Sequence, residues 1–258
     1  MKSHTNNPYD WLILSLVITG FFVFAWAVAS VSTDLPSPIE VADTAWYFLS
    51  DPFYDFGPND QGIAILTLYT LMRLLTGFVA GTSVAIVLGV LLGLSPVFFK
   101  ALNPHIQILR SISPIAWMPL LLYSVQDSHV TALLVVFMAS VWPTLANTAF
   151  GVSKIKKEYL DVANILQMHP VMKILKVVLP AAGPTIVAGL KISMGAAWVA
   201  IVPAEALLGS LGLGYFVWNE WNNLSLPSVV FAILVIGFVG VFIDLFFTRM
   251  ARRLSYVE

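Results

Sequence analysis

The sequence predicts an all-α membrane protein of six transmembrane helices, with both termini in the cytosol. Three observations carry that expectation. Hydrophobic residues make up 59% of the 258 and the mean hydropathy is +0.86, well above the apolar share of a soluble domain. Stretches almost free of charge, most of them as long as the roughly 20 residues that cross a bilayer, recur along the chain. Lysine and arginine gather in alternate connections: Lys2, Lys100, Arg110, five lysines in a loop at 152–180, and Arg249, Arg252 and Arg253. The positive-inside rule places those connections in the cytosol and the acid-rich ones outside. The whole chain, 1–258, reads as a single transmembrane domain with no room for a sizeable soluble one.

The elements follow in order. Trp11 to Thr33 carries no charge and forms the first span. Its Ala27-Val28-Ala29 imitates a signal-peptidase site, but an even number of spans requires the segment to stay. An external loop at about 32–62 holds Asp34, Glu40, Asp43, Asp51, Asp55 and Asp60 with no lysine or arginine, broken by Pro36, Pro38, Pro52 and Pro58. Ile63 to Ser95 exceeds one span, so its first turns read as an interfacial helix and Leu74 to Leu94 as the second span. Its Gly77, Gly81, Gly89 and Gly93, at intervals of four or multiples of four, mark close helix packing. Ile112 to Val125 is the weakest element, short and cut by Pro114 and Pro119, and completes a span only with residues before Arg110. After a tight turn at Gln126-Asp127-Ser128, Val130 to Phe150 returns inward. Pro184 to Leu208 goes out, Gly209 to Pro227 stays outside, and Ser228 to Phe247 comes back. Tyr215, Trp218 and Trp221 suit an interfacial aromatic belt.

Composition excludes several kinds of chemistry. Without cysteine there is no disulfide, thiolate metal site or thiol nucleophile. His4, His105, His129 and His169 are scattered, with no pair at helical spacing, so no metal centre is expected. No phosphate-cradling G-x-x-x-x-G-K-[ST] is present, so ATP has no site on this chain. No basic, aromatic-interleaved run points to nucleic acid.

The polar residues inside the spans carry the transport expectation, because a charge in lipid needs a partner or a water-lined cavity. Lys191 lies about two turns into the fifth span. Either its stem reaches the cytosolic interface, or its ammonium lines the pathway and favours an anion. Arg73 and Glu205, near the outer ends of their spans, either pair across an outer gate or face headgroups and water separately. Trp117, Asn147 and Trp198 are candidate cavity residues, and Asp244 is expected to make an interfacial pair near Arg249 or to snorkel.

The loop at 152–180 organises the rest. Tyr159, Val162, Ala163 and Leu166 fall at i, i+3, i+4 and i+7 and make an apolar stripe, with Lys157, Asp161 and Asn164 on the other side. Pro170 ends the helix near His169. A short amphipathic helix held between spans has no core of its own, so its stripe needs a groove on a partner.

Asp161-Val162-Ala163, three residues, Gln167, nine residues and Val177-Val178-Leu179-Pro180 resemble the signature loop of ABC-importer permeases, E-A-A-x3-G-x9-I-x-L-P. Asp161, Val162 and Val177 are conservative departures, while Gln167 replaces the glycine of the turn. Ser113 to Pro119, Trp142-Pro143-Thr144, Asn147 to Val152 and Gly214 to Trp221 look like the nitrate/bicarbonate/cyanate branch, a neighbour of the taurine and alkanesulfonate permeases. The resemblance implies the type I importer permease fold in a bacterial inner membrane. It implies a homodimer, two cytosolic ATPases that bind the ATP and Mg, and an extracytoplasmic substrate-binding protein. It makes Lys157, Glu158, Tyr159, Asp161, Val162, Ala163, Asn164 and Leu166 the surface that couples to the ATPase. The expected cargo is a small anion, nitrate first, with cyanate, nitrite or bicarbonate as alternatives. A taurine or alkanesulfonate importer is the competitor, and an ATP-independent secondary transporter or a membrane-embedded enzyme the rivals from other classes.

Overall fold

The structure is a computed structural model that describes residues 10–57 and 60–254. The expected cytosolic placement of Lys2 and the break at Pro58 lie outside the described residues. Among the described residues, five helices are long and apolar enough to span a membrane, and a sixth span is formed if one bent pair crosses as a unit.

Helix α1 (Asp10–Ser32) carries no charge after Asp10 and is dominated by apolar residues. Helix α2 (Pro38–Ser50) starts at a capping box in which the Ser37 hydroxyl accepts from the Glu40 amide while the Glu40 carboxylate accepts from the Ser37 amide. The acidic segment is therefore structured, continuing into a hairpin of β1 (Asp55–Gly57) and β2 (Asp60–Gln61). Gly62 lets this hairpin lie against the Pro52 backbone, where a Cβ has no room.

Helix α3 (Ile63–Leu94) is one continuous rod of 32 residues, about 48 Å long at 1.5 Å per residue. It overruns the roughly 30 Å hydrocarbon core, so the interfacial turns and the second span of the sequence reading are one element. Its glycines admit helix α6 (Ser128–Ser153). A Cβ on Gly77 or Gly81 would sit 2.8 Å from a carbonyl oxygen of Leu133 or Phe137, and one on Gly89 2.6 Å from the Thr148 Cβ. The glycine spacing is thus a backbone-to-backbone seam.

The weakest span of the sequence is broken. Helix α4 (Pro96–Ser111) and a turn at Pro114–Trp117 leading into α5 (Met118–Val125) meet at 85°. Pro114 occupies the first position of the second piece, where its missing N–H costs nothing, and it keeps Ser113 extended.

After α6 come the short α7 (Lys157–Ile165) and α8 (Pro170–Lys173), then a π-helical turn at Ile174–Val178 that runs straight into α9 (Leu179–Leu208). The helical stretch that carries the fifth span thus starts at Pro170, ahead of the expected Pro184, and runs for 39 residues. Helix α10 (Leu213–Asn222) lies between it and α11 (Leu226–Leu254). Helices α3, α6 and α9 share the central core around Leu74, Val135, Val136, Ala197 and Ile201. A second cluster joins α2, α10 and α11 through Phe48, which stacks on Phe231 and meets Phe216 edge-on.

Candidate functional site

Two places carry the expected functional residues: the α7 rod and the polar groups within the spans. In α7, Ala163 is 1% exposed and Leu160 packs with Val90, Val152, Val178 and Ile186, so one edge of the rod is seated on its own chain. The other edge is bare. Tyr159 is 53% exposed, Val162 56%, Leu166 68% and Ile165 79%. The sequence-derived stripe therefore divides: Ala163 turns inward, while Tyr159, Val162 and Leu166 remain available and Ile165 joins them. Lys157, Glu158, Asp161 and Asn164 are exposed. Asn164 accepts from Lys173 Nζ at 2.9 Å, which ties the rod to α8.

Gln167 takes over the turn where the signature has glycine. Its φ is +52°, a left-handed conformation. The Met168 amide donates to the Ala163 carbonyl and the Gln167 amide to that of Asn164, so the carbonyls at the rod's end are satisfied.

Arg73 and Glu205 are an ion pair, Nη1 to Oε1 at 2.8 Å, with side chains 6% and 0% exposed. Further hydrogen-bond partners surround the pair, as a buried ion pair requires. Glu205 also accepts from Thr70 Oγ1 at 2.8 Å and from the Gly214 amide at 3.1 Å. Thr70 in turn accepts from the Leu213 amide at 2.9 Å. Arg73 donates through Nε to His129 Nδ1 at 2.9 Å and through Nη1 to the Leu211 carbonyl. The node joins α3, the start of α6, the end of α9 and the lead into α10. Gly212 is part of it, since a Cβ there would run into the Glu205 carboxylate. Sequence reading missed Thr70, His129 and Gly212; only the opposite charges of Arg73 and Glu205 signalled the node.

Lys191 reaches across to the neighbouring helix α11. Its ammonium meets Asp244 Oδ1 of α11 at 3.3 Å and donates to Thr248 Oγ1 at 2.8 Å. Asp244 is thus held by Lys191, one span away, rather than by Arg249 on its own helix. The two helices match positions here: Lys191, Met194, Gly195 and Trp198 face Gly240, Ile243, Asp244 and Phe247 around a cavity of about 40 Å³. Gly240 makes room for Trp198, whose indole Nε1 would lie 2.7 Å from a Cβ at that position.

The remaining candidates lie apart from this cavity. Asn147 donates to the Pro143 carbonyl at 2.8 Å and packs on Gly189. The Trp117 indole N–H is buried at the bend between α4 and α5 without an acceptor among the described residues. Nearby in sequence to Asn147, Thr144 and Ser193 bond at 2.6 Å across α6 and α9, a link with no signal in the sequence. No cluster of metal-ligating side chains occurs among the described residues.

Several long apolar helices, ion pairs between them and a half-exposed connecting helix are the features of a multi-pass membrane protein. The chain belongs to the family of binding-protein-dependent transport system inner membrane components, whose model matches residues 81–256. It is 39% identical over 216 residues to the nitrate import permease protein NrtB of Leptolyngbya laminosa, covering 84% of this chain and 77% of that one. It is 33% identical over 248 residues to the NrtB of a Synechocystis strain, covering 93% and 90%. The bicarbonate transport system permease protein CmpB of Synechococcus elongatus is 36% identical over 253 residues, covering 96% and 91%. Among solved structures, the MetNI methionine ABC transporter, in an inward-facing conformation, superposes with a TM-score of 0.64 at 16% identity over 74% of this chain and 95% of that one. That likeness is one of fold, and it is the fold expected from the sequence. The chain is therefore a multi-pass permease of the inner membrane, and its family implies ATPase and binding-protein partners.

Proposed function

We propose that this chain is the membrane subunit of an ATP-driven importer for a small inorganic anion, with nitrate as the first choice. The observation that carries the reading is its identity to curated nitrate permeases over most of its length. Bicarbonate is the second reading, favoured by the comparable match to bicarbonate permeases. Both ions are compact, planar oxyanions of one negative charge, and a pathway that tolerates one is poorly equipped to reject the other.

Two copies would form the pathway, and two ATPases in the cytosol would bind ATP and Mg. Helix α7 would act as the coupling rod, with Tyr159, Val162, Ile165 and Leu166 entering a groove on the ATPase and Lys157, Glu158, Asp161 and Asn164 at its polar rim. An apolar face bare on an isolated subunit suits a docking surface. Lys191, with Trp198, would attract the anion, and the Arg73–Glu205 node would fix the outer ends of α3, α6 and α9 so that they move together. Trp117 and Asn147, apart from the cavity beside Lys191, would line the pathway elsewhere.

The test is uptake of labelled nitrate and labelled bicarbonate into vesicles holding the complete complex. Nitrate uptake that needs both ATP and the binding protein is the expected result. Uptake by the permease alone would overturn the reading, and a preference for bicarbonate would select the second one.

A further inference from the structure

On the side opposite the lysine-rich loops, where this chain carries its acid-rich connections, α2, the β-hairpin and α10 enclose a cavity of about 190 Å³. Tyr47, Tyr54 and Tyr215 wall it, and Asp60, Glu220, Gln61 and Asn219 supply further polar groups. Acceptors outnumber donors there. Gln61 spends its amide nitrogen on Asp55, at 3.4 Å, which leaves its Oε1 buried and without a donor. Burial, and next the neighbouring Asp60 carboxylate, push the Tyr54 pKa up to about 12. Glu220 contributes a second negative charge beside the same phenol. No lysine or arginine occurs in 32–62 or 209–227, and neither ion pair seen among the described residues involves Asp60 or Glu220.

Resting on the importer reading above, we propose that this cavity receives an arginine side chain from the extracytoplasmic binding protein when it docks. A guanidinium brings a positive charge that the lining lacks and several donors for its surplus acceptors, and its flat face lies well against tyrosine rings. The acidic surface around the cavity, with Asp34, Glu40, Asp43, Asp51 and Asp55, adds charge complementarity that speeds the encounter. Aromatic and arginine anchors dominate the energetics of protein interfaces.

The experiment uses the complete importer in lipid nanodiscs and measures ATPase activity against binding-protein concentration. For Glu220→Gln, Asp60→Asn and the double variant, the expected result is unchanged basal ATPase activity. The concentration for half-maximal stimulation should rise, by about tenfold in the double variant, with a weaker dependence on salt. Arginine-to-glutamate variants of the binding protein, scanned over its membrane-facing surface, should include one that weakens the native importer but not the Glu220→Gln importer. The proposal is overturned if the half-maximal concentration stays within twofold, or if the variants act only in nanodiscs containing amine headgroup lipids, which would make the occupant a lipid. If the binding protein fails to stimulate even the native complex, the importer reading falls instead.

Discussion

Gln167 shows how a residue that breaks a pattern can keep its geometry. At φ +52° a side chain meets its own backbone, which costs about 1 kcal/mol relative to glycine. Gln167→Gly should therefore raise the apparent melting temperature of the purified complex, by up to about 1 kcal/mol of stability. Gln167→Ile, β-branched at the same φ, should lower it, and a reversed order would show that the turn is not held as described. Glu205 is the opposite case, a residue whose neighbours are all arranged for it. Replacing it with Gln leaves Arg73 charged and enclosed, a loss of about 3–5 kcal/mol on the scale of broken buried pairs. Gly212→Ala should imitate that loss by pushing on the carboxylate, and the two changes together should cost less than their sum because they disable one node. Thermal unfolding of the three variants checks this. Tyr54 gives a spectroscopic test. Folding favours its neutral form, so its contribution to stability is full below about pH 10 and is lost as pH rises through about 12. The tyrosinate absorbance difference between the native protein and Tyr54→Phe should appear near 12, and Asp60→Asn should move it down.

At the scale of elements, the α3–α6 seam and the α7 rod make contrasting demands. Gly81→Leu and Gly89→Leu should wedge the two helices apart and prevent accumulation of folded protein, because the obstacles are a carbonyl and a Cβ that cannot yield. Gly237→Ala in α11, with open space beside it, should be neutral or slightly stabilising, as an alanine in a helix is. Detergent-extracted yield and gel-filtration profile separate the two outcomes. In α7 the informative substitutions are Tyr159→Asp and Val162→Asp, on the bare edge. They should lower transport and binding-protein-stimulated ATPase activity together while the subunit still folds. Ala163→Arg is a poorer probe, since Ala163 is seated against its own chain and its replacement disturbs the fold as well.

For the whole molecule, much of the architecture was legible because hydropathy and charge act over whole segments. The alternation of basic and acidic connections, the glycine spacing and the Pro170 boundary all have local physical causes. What stayed hidden depends on pairs far apart in the chain. Nothing in the spacing joins Thr70 to Glu205 across 135 positions, or Lys191 to Thr248 across 57. Charges near Asp244 on its own helix are visible in the sequence, and the facing helix that supplies Lys191 is not. The broken span at 96–125 shows the same limit: two prolines announce an interruption, but the 85° bend follows from how the pieces pack. Transport tests the reading at this scale. Lys191→Met should reduce anion uptake while ATPase activity persists, whereas Asp244→Asn, which leaves the ammonium in place, should spare uptake or raise apparent affinity.

The Arg73–Glu205 pair also constrains how the protein is born. Its members are separated by 132 positions, so the ribosome delivers the cation long before its counter-ion. Until α9 emerges, α3 carries an unneutralised guanidinium, at a cost below the about 2.5–3.5 kcal/mol of an arginine at a helix centre because Arg73 lies near the outer end. Nascent chains truncated before residue 205 should therefore be held by an insertase or chaperone, or be degraded, while chains a few turns longer should escape. Maturation of this subunit is timed by the arrival of one carboxylate.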